Sequence, residues 1–434
     1  MAATPSSATG DQSFLATLRE RNPLPTGSFA IGAGLLINGI ATFGFLTVAN
    51  RALGDESYSA LAVLWALVFI LGPGFFQPLE QELSRATAER ASRGEGSAPV
   101  LHKTAQIGAG LLALVTVGLL IGWPLGLDER LDNASLLLVS LILAMAAFSV
   151  SQLLRGLLAG QHNYKFYGVF FGVDGVVRFG AAIVLTIIGV TAAGIYGLTV
   201  GAAILIAAYV ATRGDEPLSK PGPEASWNEI SPSLVFLLGA AIFEAFLLNI
   251  GPVAVDALAE PGEEIEAGRF LNGLLTARVP LFFFQAVKAA LLPNLADAIG
   301  HGDFGRFRDV LMRLLVAVSG IAVIGVAFAW VAGPFIVDLL FADEMSRMDM
   351  SLLALSSGIF MAALSLAIAL IALGHQRYAV IGWLAGVIVF FPGIMLSDDL
   401  FLRVEIGLIL AVSTTTLCMA GLCRYGLRAA RIAS

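Results

Sequence analysis

The sequence predicts an all-α polytopic membrane protein with about twelve transmembrane helices in two pseudo-symmetric six-helix lobes, both termini being cytoplasmic. Three observations predict it. Of 434 residues, 57% are hydrophobic and 13% charged, about half the charged share of an ordinary soluble domain. The apolar residues gather into runs long enough to cross a bilayer. Lysine and arginine collect in alternate loops between those runs.

The first observation excludes a soluble enzyme, because a folded chain of this length cannot bury so much apolar surface and the remainder must face lipid. A net charge of −7 leaves no basic patch for nucleic acid. Cys418 and Cys423 are too few for a disulfide framework. His102, His162, His301 and His375 sit in separate polar segments without zinc-ligand spacing, and the sequence contains no P-loop. Neither a metal nor a cofactor is expected.

A hydrocarbon core about 30 Å thick is crossed by about 20 apolar residues in helix. Their backbone groups pair within the segment because lipid offers no partner. Runs of that length lie near 29–50, 57–77, 101–123, 134–158, 168–189 and 191–211. Six more lie near 233–255, 269–292, 310–333, 351–373, 378–397 and 403–423. The chain thus divides into a cytoplasmic tail (1–25), an N-lobe (26–211), a cytoplasmic linker (212–231), a C-lobe (232–423) and a basic cytoplasmic tail (424–434). The polar character of 1–25, with Pro5, Pro23 and Pro25, argues against a cleavable signal peptide. With the N-terminus inside, 18 of the 25 lysines and arginines fall in cytoplasmic segments and five in external ones, the asymmetry that orients membrane proteins.

The two halves echo each other. Phe75-Phe76-Gln77 near the end of the second span recurs as Phe283-Phe284-Gln285 near the end of the eighth, an offset of 208. Gly160, Tyr164, Gly168 and Gly172 recur as Gly374, Tyr378, Gly382 and Gly386, an offset of 214. Glycines at this spacing let helices approach closely. Six spans return the chain to its starting side, so the repeat is parallel, about an axis along the membrane normal. Transporters built from repeats hold substrate near the midplane between the halves.

Ionisable groups within a span cost about 2.5–3.5 kcal/mol each on insertion scales, and they mark pairing or function. Arg278 in the eighth span, Arg178 in the fifth and Glu244 in the seventh fall near the midplane, with Asn38 at comparable depth in the first. Asp174 precedes Arg178 by one turn on the same face, the order that favours an ion pair; pairing and a shared cavity lining both fit. Arg278 has no acidic residue within a turn of it in sequence, and Pro280 frees a backbone carbonyl there. That setting suits a cavity lining, with a packing pair to Glu244 as the alternative. A guanidinium matches phosphate oxygens and stays charged at any relevant pH, so Arg278 and Arg178 are candidates to bind an anionic lipid head group. Glu244 or Asp174 would supply the group for coupling to H+ or Na+. Asn38, Gln77, Gln285, Asn249 and Asn272 offer neutral hydrogen bonds of the kind sugars need, against a plainer role as interhelical ties.

Further stretches carry a family likeness. They are Leu53-Gly54-x3-Tyr58 after the first span, Gln77-Pro78-Leu79-Glu80 at the exit of the second and Arg155-Gly156-x3-Gly160 after the fourth. Leu291-Leu292-Pro293-Asn294-Leu295-Ala296, followed by Gly302-Asp303, comes after the eighth. With the twelve-span layout, they make the chain resemble the Wzx-type polysaccharide transporters, flippases of the multidrug/oligosaccharidyl-lipid/polysaccharide (MOP) superfamily. The resemblance implies a MATE-like V of two lobes around a central cavity, in a bacterial plasma membrane. It implies export of a lipid-linked oligosaccharide or polysaccharide precursor, on polyprenyl pyrophosphate, from inner to outer leaflet by ion-coupled alternating access. A polysaccharide polymerase or glycosyltransferases would be enzymatic partners, and Arg278 would stand where some of these flippases place an eighth-span arginine. A MATE-type drug/cation antiporter, which wants cavity carboxylates such as Asp174 and Glu244, is the competing reading. A polytopic glycosyltransferase or polymerase is disfavoured, because the chain lacks the sizeable extramembrane loop such enzymes carry.

Overall fold

The computed structural model describes residues 28–131, 135–213, 219–230, 234–263, 265–281, 284, 291, 295, 298–299 and 301–433. The first half comprises α1 (Ser28–Leu53), α2 (Asp55–Ser92), α3 (Ala98–Gly122), α4 (Ser135–Gly160), α5 (Tyr164–Ile187) and α6 (Ala193–Ala211). The second comprises α7 (Leu234–Leu258), α8 (Glu266–Ala277), α9 (Phe304–Phe341), α10 (Arg347–Ala372), α11 (Gln376–Gly393) and α12 (Leu400–Ala433). No strand occurs among the described residues. Eleven helices there are long and apolar enough to cross a membrane. The expected eighth span is represented by α8 and then passes into residues only some of which are described.

Helix boundaries depart from the expected spans for local reasons. α2 runs to 38 residues because its inner end carries Glu82, Arg85, Glu89 and Arg93, whose ion pairs one turn apart support helix in water. α12 continues through Arg424 and Arg428, so the basic stretch is helical up to Ala433. Between α1 and α2 the chain turns on Gly54, whose φ of 75° favours glycine. Asp303 accepts from the Arg306 amide (2.8 Å) to start α9. Ser346 and Asp349 form a capping box on α10, and Asp399 accepts from the Leu402 amide (2.9 Å) at the start of α12.

Packing repeats with a period of six helices. In the N-lobe α1 packs on α5, α2, α3 and α6 on α4, and α5 on α6; in the C-lobe α7 packs on α11, α8, α9 and α12 on α10, and α11 on α12. Enclosure repeats too: α3 and α9 are the least buried spans, whereas α4 and α10 lie inside their lobes. Leu114 and Ile121 on α3, with Val323, Ile324, Val331 and Phe335 on α9, turn apolar side chains outward, as helices facing lipid do. The glycine ladders mark close approaches. A Cβ on Gly168 of α5 would run into the backbone of Ala30 in α1, and one on Gly386 of α11 into Thr415 of α12.

The lobes meet through α2 against α7, α2 against α8 and α1 against α9. The end bearing the α1–α2 turn, expected to be external from the charge asymmetry, is called the outer end below. At the inner end, the linker is fastened to the N-lobe by Arg90, which is 1% exposed. Its guanidinium donates to Glu229 (2.8 Å), the Pro223 carbonyl (2.9 Å) and the Gly96 carbonyl (3.1 Å).

Candidate functional site

Two helices and a tryptophan bring three of the sequence candidates together in the N-lobe. Asn38 and Thr42 lie one turn apart on α1, as do Asp174 and Arg178 on α5. Asn38 Nδ2 donates to Asp174 Oδ2 (2.7 Å) and to the Phe171 carbonyl (3.0 Å). Arg178 Nη2 donates to Thr42 Oγ1 (2.9 Å) and lies 3.6 Å from Asp174 Oδ2. Its guanidinium faces the Trp65 ring of α2 at 5.3 Å. Asp174 and Arg178 thus lie within ion-pair distance, one of the two readings the sequence left open for them, and both are buried.

Two turns toward the inner end, Tyr167 of α5 joins a second cluster. Its hydroxyl donates to Glu80 Oε1 (2.6 Å), and Arg155 Nη2 lies 2.7 Å from Glu80 Oε2. The Arg155 guanidinium also covers the Phe171 ring at 4.6 Å. The acid in α2 and the arginine of α4, known from the sequence only as pieces of two motifs, thus brace α2, α4 and α5.

Arg278 lies in the other lobe. α8 ends at this residue, with Pro280 following, as a proline without a backbone donor requires. The side chain is 9% exposed and lines a cavity of about 10 Å³ with Leu247 of α7, Ser356, Ser357 and Phe360 of α10, and Leu408 of α12; that is room for about one water. No ion pair or side-chain hydrogen bond reaches Arg278 among the described residues.

Two of the predicted asparagines tie helices instead. Asn249 Nδ2 of α7 donates to the Phe69 carbonyl of α2 (3.1 Å) and to the Ala245 carbonyl of its own helix (3.0 Å). Asn272, fully buried at the outer end, accepts from the Tyr58 hydroxyl and donates to Asp343 Oδ2. Asp343 also accepts from Asn50 Nδ2 (3.1 Å), and Arg51 donates to the Leu339 carbonyl (3.0 Å). Asn50, Arg51 and Tyr58 belong to the first six helices, and Asn272, Leu339 and Asp343 to the second half, so this network latches the halves together. Burial pushes the Asp343 carboxyl above the usual carboxylate range, against the Asn272 and Asn50 donors that lower it.

Gln77 and Glu244 are half-buried on α2 and α7. Gln285 lies outside the described residues. One group escaped the sequence reading altogether: Glu405, near the start of α12, is fully buried, and neither oxygen has a hydrogen-bond partner among the described residues. Its one sequence signal was an acid just inside the twelfth expected span.

No protein-family model matches the chain. Uncharacterized proteins of Mycobacterium tuberculosis and Mycobacterium bovis are each 24% identical to it over 384 residues, 84% of this chain and 84% of theirs. Among solved structures, an inward-facing multidrug resistance MATE family transporter of the MOP superfamily aligns with a TM-score of 0.69 at 13% identity. That alignment covers 92% of this chain and 96% of the transporter. An outward-facing conformation of such a transporter gives a TM-score of 0.63 at 12% identity, over 93% and 95%. The chain therefore shares the two-lobed fold of the MATE transporters of the MOP superfamily.

Proposed function

We propose that the chain is a multi-pass membrane transporter working by alternating access. Its cargo, on this reading, is a lipid-linked oligosaccharide or polysaccharide precursor on polyprenyl pyrophosphate, moved from the inner to the outer leaflet of a bacterial plasma membrane. The observation that carries the cargo reading is the balance of buried charge. In the N-lobe, Arg178 and Arg155 face Asp174 and Glu80. In the C-lobe, Arg278 has no such partner among the described residues. A guanidinium left over inside the membrane attracts a phosphate and repels the cationic drugs an antiporter would take. For a pyrophosphate to reach Arg278, the helices around its small cavity must part, a movement that alternating access supplies.

An apolar groove of about 430 Å³ between α1 and α5 supports the lipid part of the reading. It is lined by Ala30, Gly34, Ile37, Gly168, Val173 and Val176, with Lys165 at its inner end. A hydrocarbon surface ending in a cation suits an isoprenoid tail that carries phosphate. The closed outer latch and the better overlay on the inward-facing transporter support an inward-open resting state. Coupling to H+ or Na+, and docking with a polymerase or glycosyltransferases, belong to the same proposal.

The multidrug transporters among the fold neighbours favour a second reading, a drug/cation antiporter. Proteoliposomes carrying a fluorescent polyprenyl-pyrophosphate oligosaccharide, with a cationic dye in parallel vesicles, separate the two. Arg278→Ala should slow saccharide flipping about 10- to 150-fold, the loss of one charge-assisted contact of about 1.5–3 kcal/mol, in a protein that remains folded. Flipping at the wild-type rate by that variant, or dye movement in place of saccharide flipping, overturns the cargo reading.

A further inference from the structure

Three carboxylates belong to the outer corner of the C-lobe: Asp349 on α10, Asp399 before α12 and Glu405 inside it. Two are committed to helix ends. Asp349 Oδ2 accepts from the Ser346 amide (3.2 Å) in the capping box of α10, and Asp399 Oδ1 accepts from the Leu402 amide (2.9 Å).

Glu405 differs in every respect. It is 0% exposed, neither of its oxygens is hydrogen-bonded among the described residues, and the charges acting on it are those of Asp349 and Asp399, both of like sign. The cations at this end are engaged or outside. Arg403 donates to the Ile394 carbonyl (3.1 Å), Arg269 of α8 pairs with Glu266 (2.9 Å), and Arg347 of α10 is exposed. The remaining charges at this end of the packed elements are Asp256 near the end of α7 and Asp398 in the turn before α12, both acidic; Glu244 lies midway along α7 and Arg377 at the opposite end of α11. A buried carboxylate with neither donor nor cation is too costly to keep, and such a group neutralises by holding a proton. A hard metal ion is a poor substitute, since it takes about six oxygen ligands, and no group of three His, Cys, Asp or Glu that could hold one occurs among the described residues.

We propose that Glu405 is a proton-binding site of the C-lobe, loaded while the outer end is closed and unloaded when that end opens to water. The conformation with the greater affinity for the proton is favoured at low pH, so acid holds the outer end shut and alkali opens it. Leu408, one turn along the same face of α12, lines the Arg278 cavity, so one turn of α12 links the proton site to the wall of that cavity. Any part this proton plays in driving cargo rests on the transporter reading; the site itself does not.

Infrared spectroscopy of the full chain in lipid nanodiscs tests the loading. The difference between wild type and Glu405→Gln at neutral pH should contain the C=O band of a protonated carboxyl. In wild type that band should be lost as pH rises. Spin labels at Glu56 and Glu260, both exposed at the outer end, should move apart over the same pH interval in wild type and stay together in Glu405→Gln. Glu405→Asp, a second variant, should shift the band without removing it. A difference spectrum holding only carboxylate stretches, or a Glu405→Gln protein that opens with pH as wild type does, overturns the proposal. No saccharide enters either measurement, so failure of the flipping assay and failure here are distinct results.

Discussion

Removing one hydrogen bond across the outer end tests whether the latch holds the lobes closed. Asn50 Nδ2 donates to Asp343 Oδ2 at 3.1 Å, and both residues are buried. A hydrogen bond to a charged acceptor contributes about 1.5–3 kcal/mol. Asn50→Ala removes that bond, yet leaves Asp343 its Asn272 donor and leaves the Tyr58–Asn272 and Arg51–Leu339 contacts in place. At about 1.4 kcal/mol per tenfold, the outer end should open about 10- to 150-fold more often. Ser59, buried on α2 where α8 packs, supplies the reporter. In a background with Cys418 and Cys423 replaced by serine, Ser59→Cys reacts with a membrane-impermeant maleimide when the lobes part, so its rate follows the open fraction even when that fraction is small. Asp343→Asn combined with Asn50→Ala should raise the rate by less than the product of the single effects, because both act on one bond. An unchanged labelling rate in Asn50→Ala would refute the latch.

The other expectations concern the N-lobe and the linker. Arg155→Ala strips Glu80 of its cationic partner at 2.7 Å and leaves it the Tyr167 hydroxyl; breaking a buried pair costs about 3–5 kcal/mol. The loss should appear as a lower midpoint of thermal unfolding in detergent, and adding Glu80→Gln should recover much of it. Glu229 is held below the usual carboxylate range chiefly by the hydrogen bond from Arg90, with Arg93 assisting. A lowered value means that the linker clamp is at full strength above the ordinary carboxylate range and weakens as pH falls through the lowered one. Limited proteolysis of the linker should therefore accelerate on strong acidification in wild type, and be fast without that pH dependence in Glu229→Gln.

The fold was legible because lipid leaves the chain few choices: spans of fixed length, loops sorted by charge and glycines where helices touch. The site was legible only where its parts lay on one helix. Asp174 and Arg178 are four residues apart, so the helical period alone places them side by side. Glu80 and Arg155 stand on different helices, and no single-sequence pattern pairs them. The motif stretches proved partly architectural: Gly54 turns the chain, Asp303 caps α9, and Tyr58 reaches across to Asn272. For Arg278 the break before Pro280 could be read, but the direction of the side chain depends on how α8 packs against α10, which no periodicity fixes. Glu405 went unread because an acid near a span end looks like a solvated cap until the fold buries it.

The duplication extends to packing and stops short of charge. Moved by the offset of the glycine ladder, Asp174 and Arg178 fall on Ile388 and Pro392 of α11. Moved back by the other offset, Arg278 falls on Ile70 of α2, and Glu405 falls on Thr191 by the first. Each of these charges therefore has an uncharged counterpart in the other half, although the helices around them pair in the same way. Two lobes with one architecture and different buried charges are not suited to one task. The N-lobe satisfies its guanidinium groups internally, which favours a stiff body, because moving either member of a buried pair leaves the other uncompensated. In the C-lobe, Arg278 and Glu405 have no side-chain partner among the described residues. On the proposed reading, anion and proton both find their binding groups there, and the N-lobe is the wall against which the C-lobe moves.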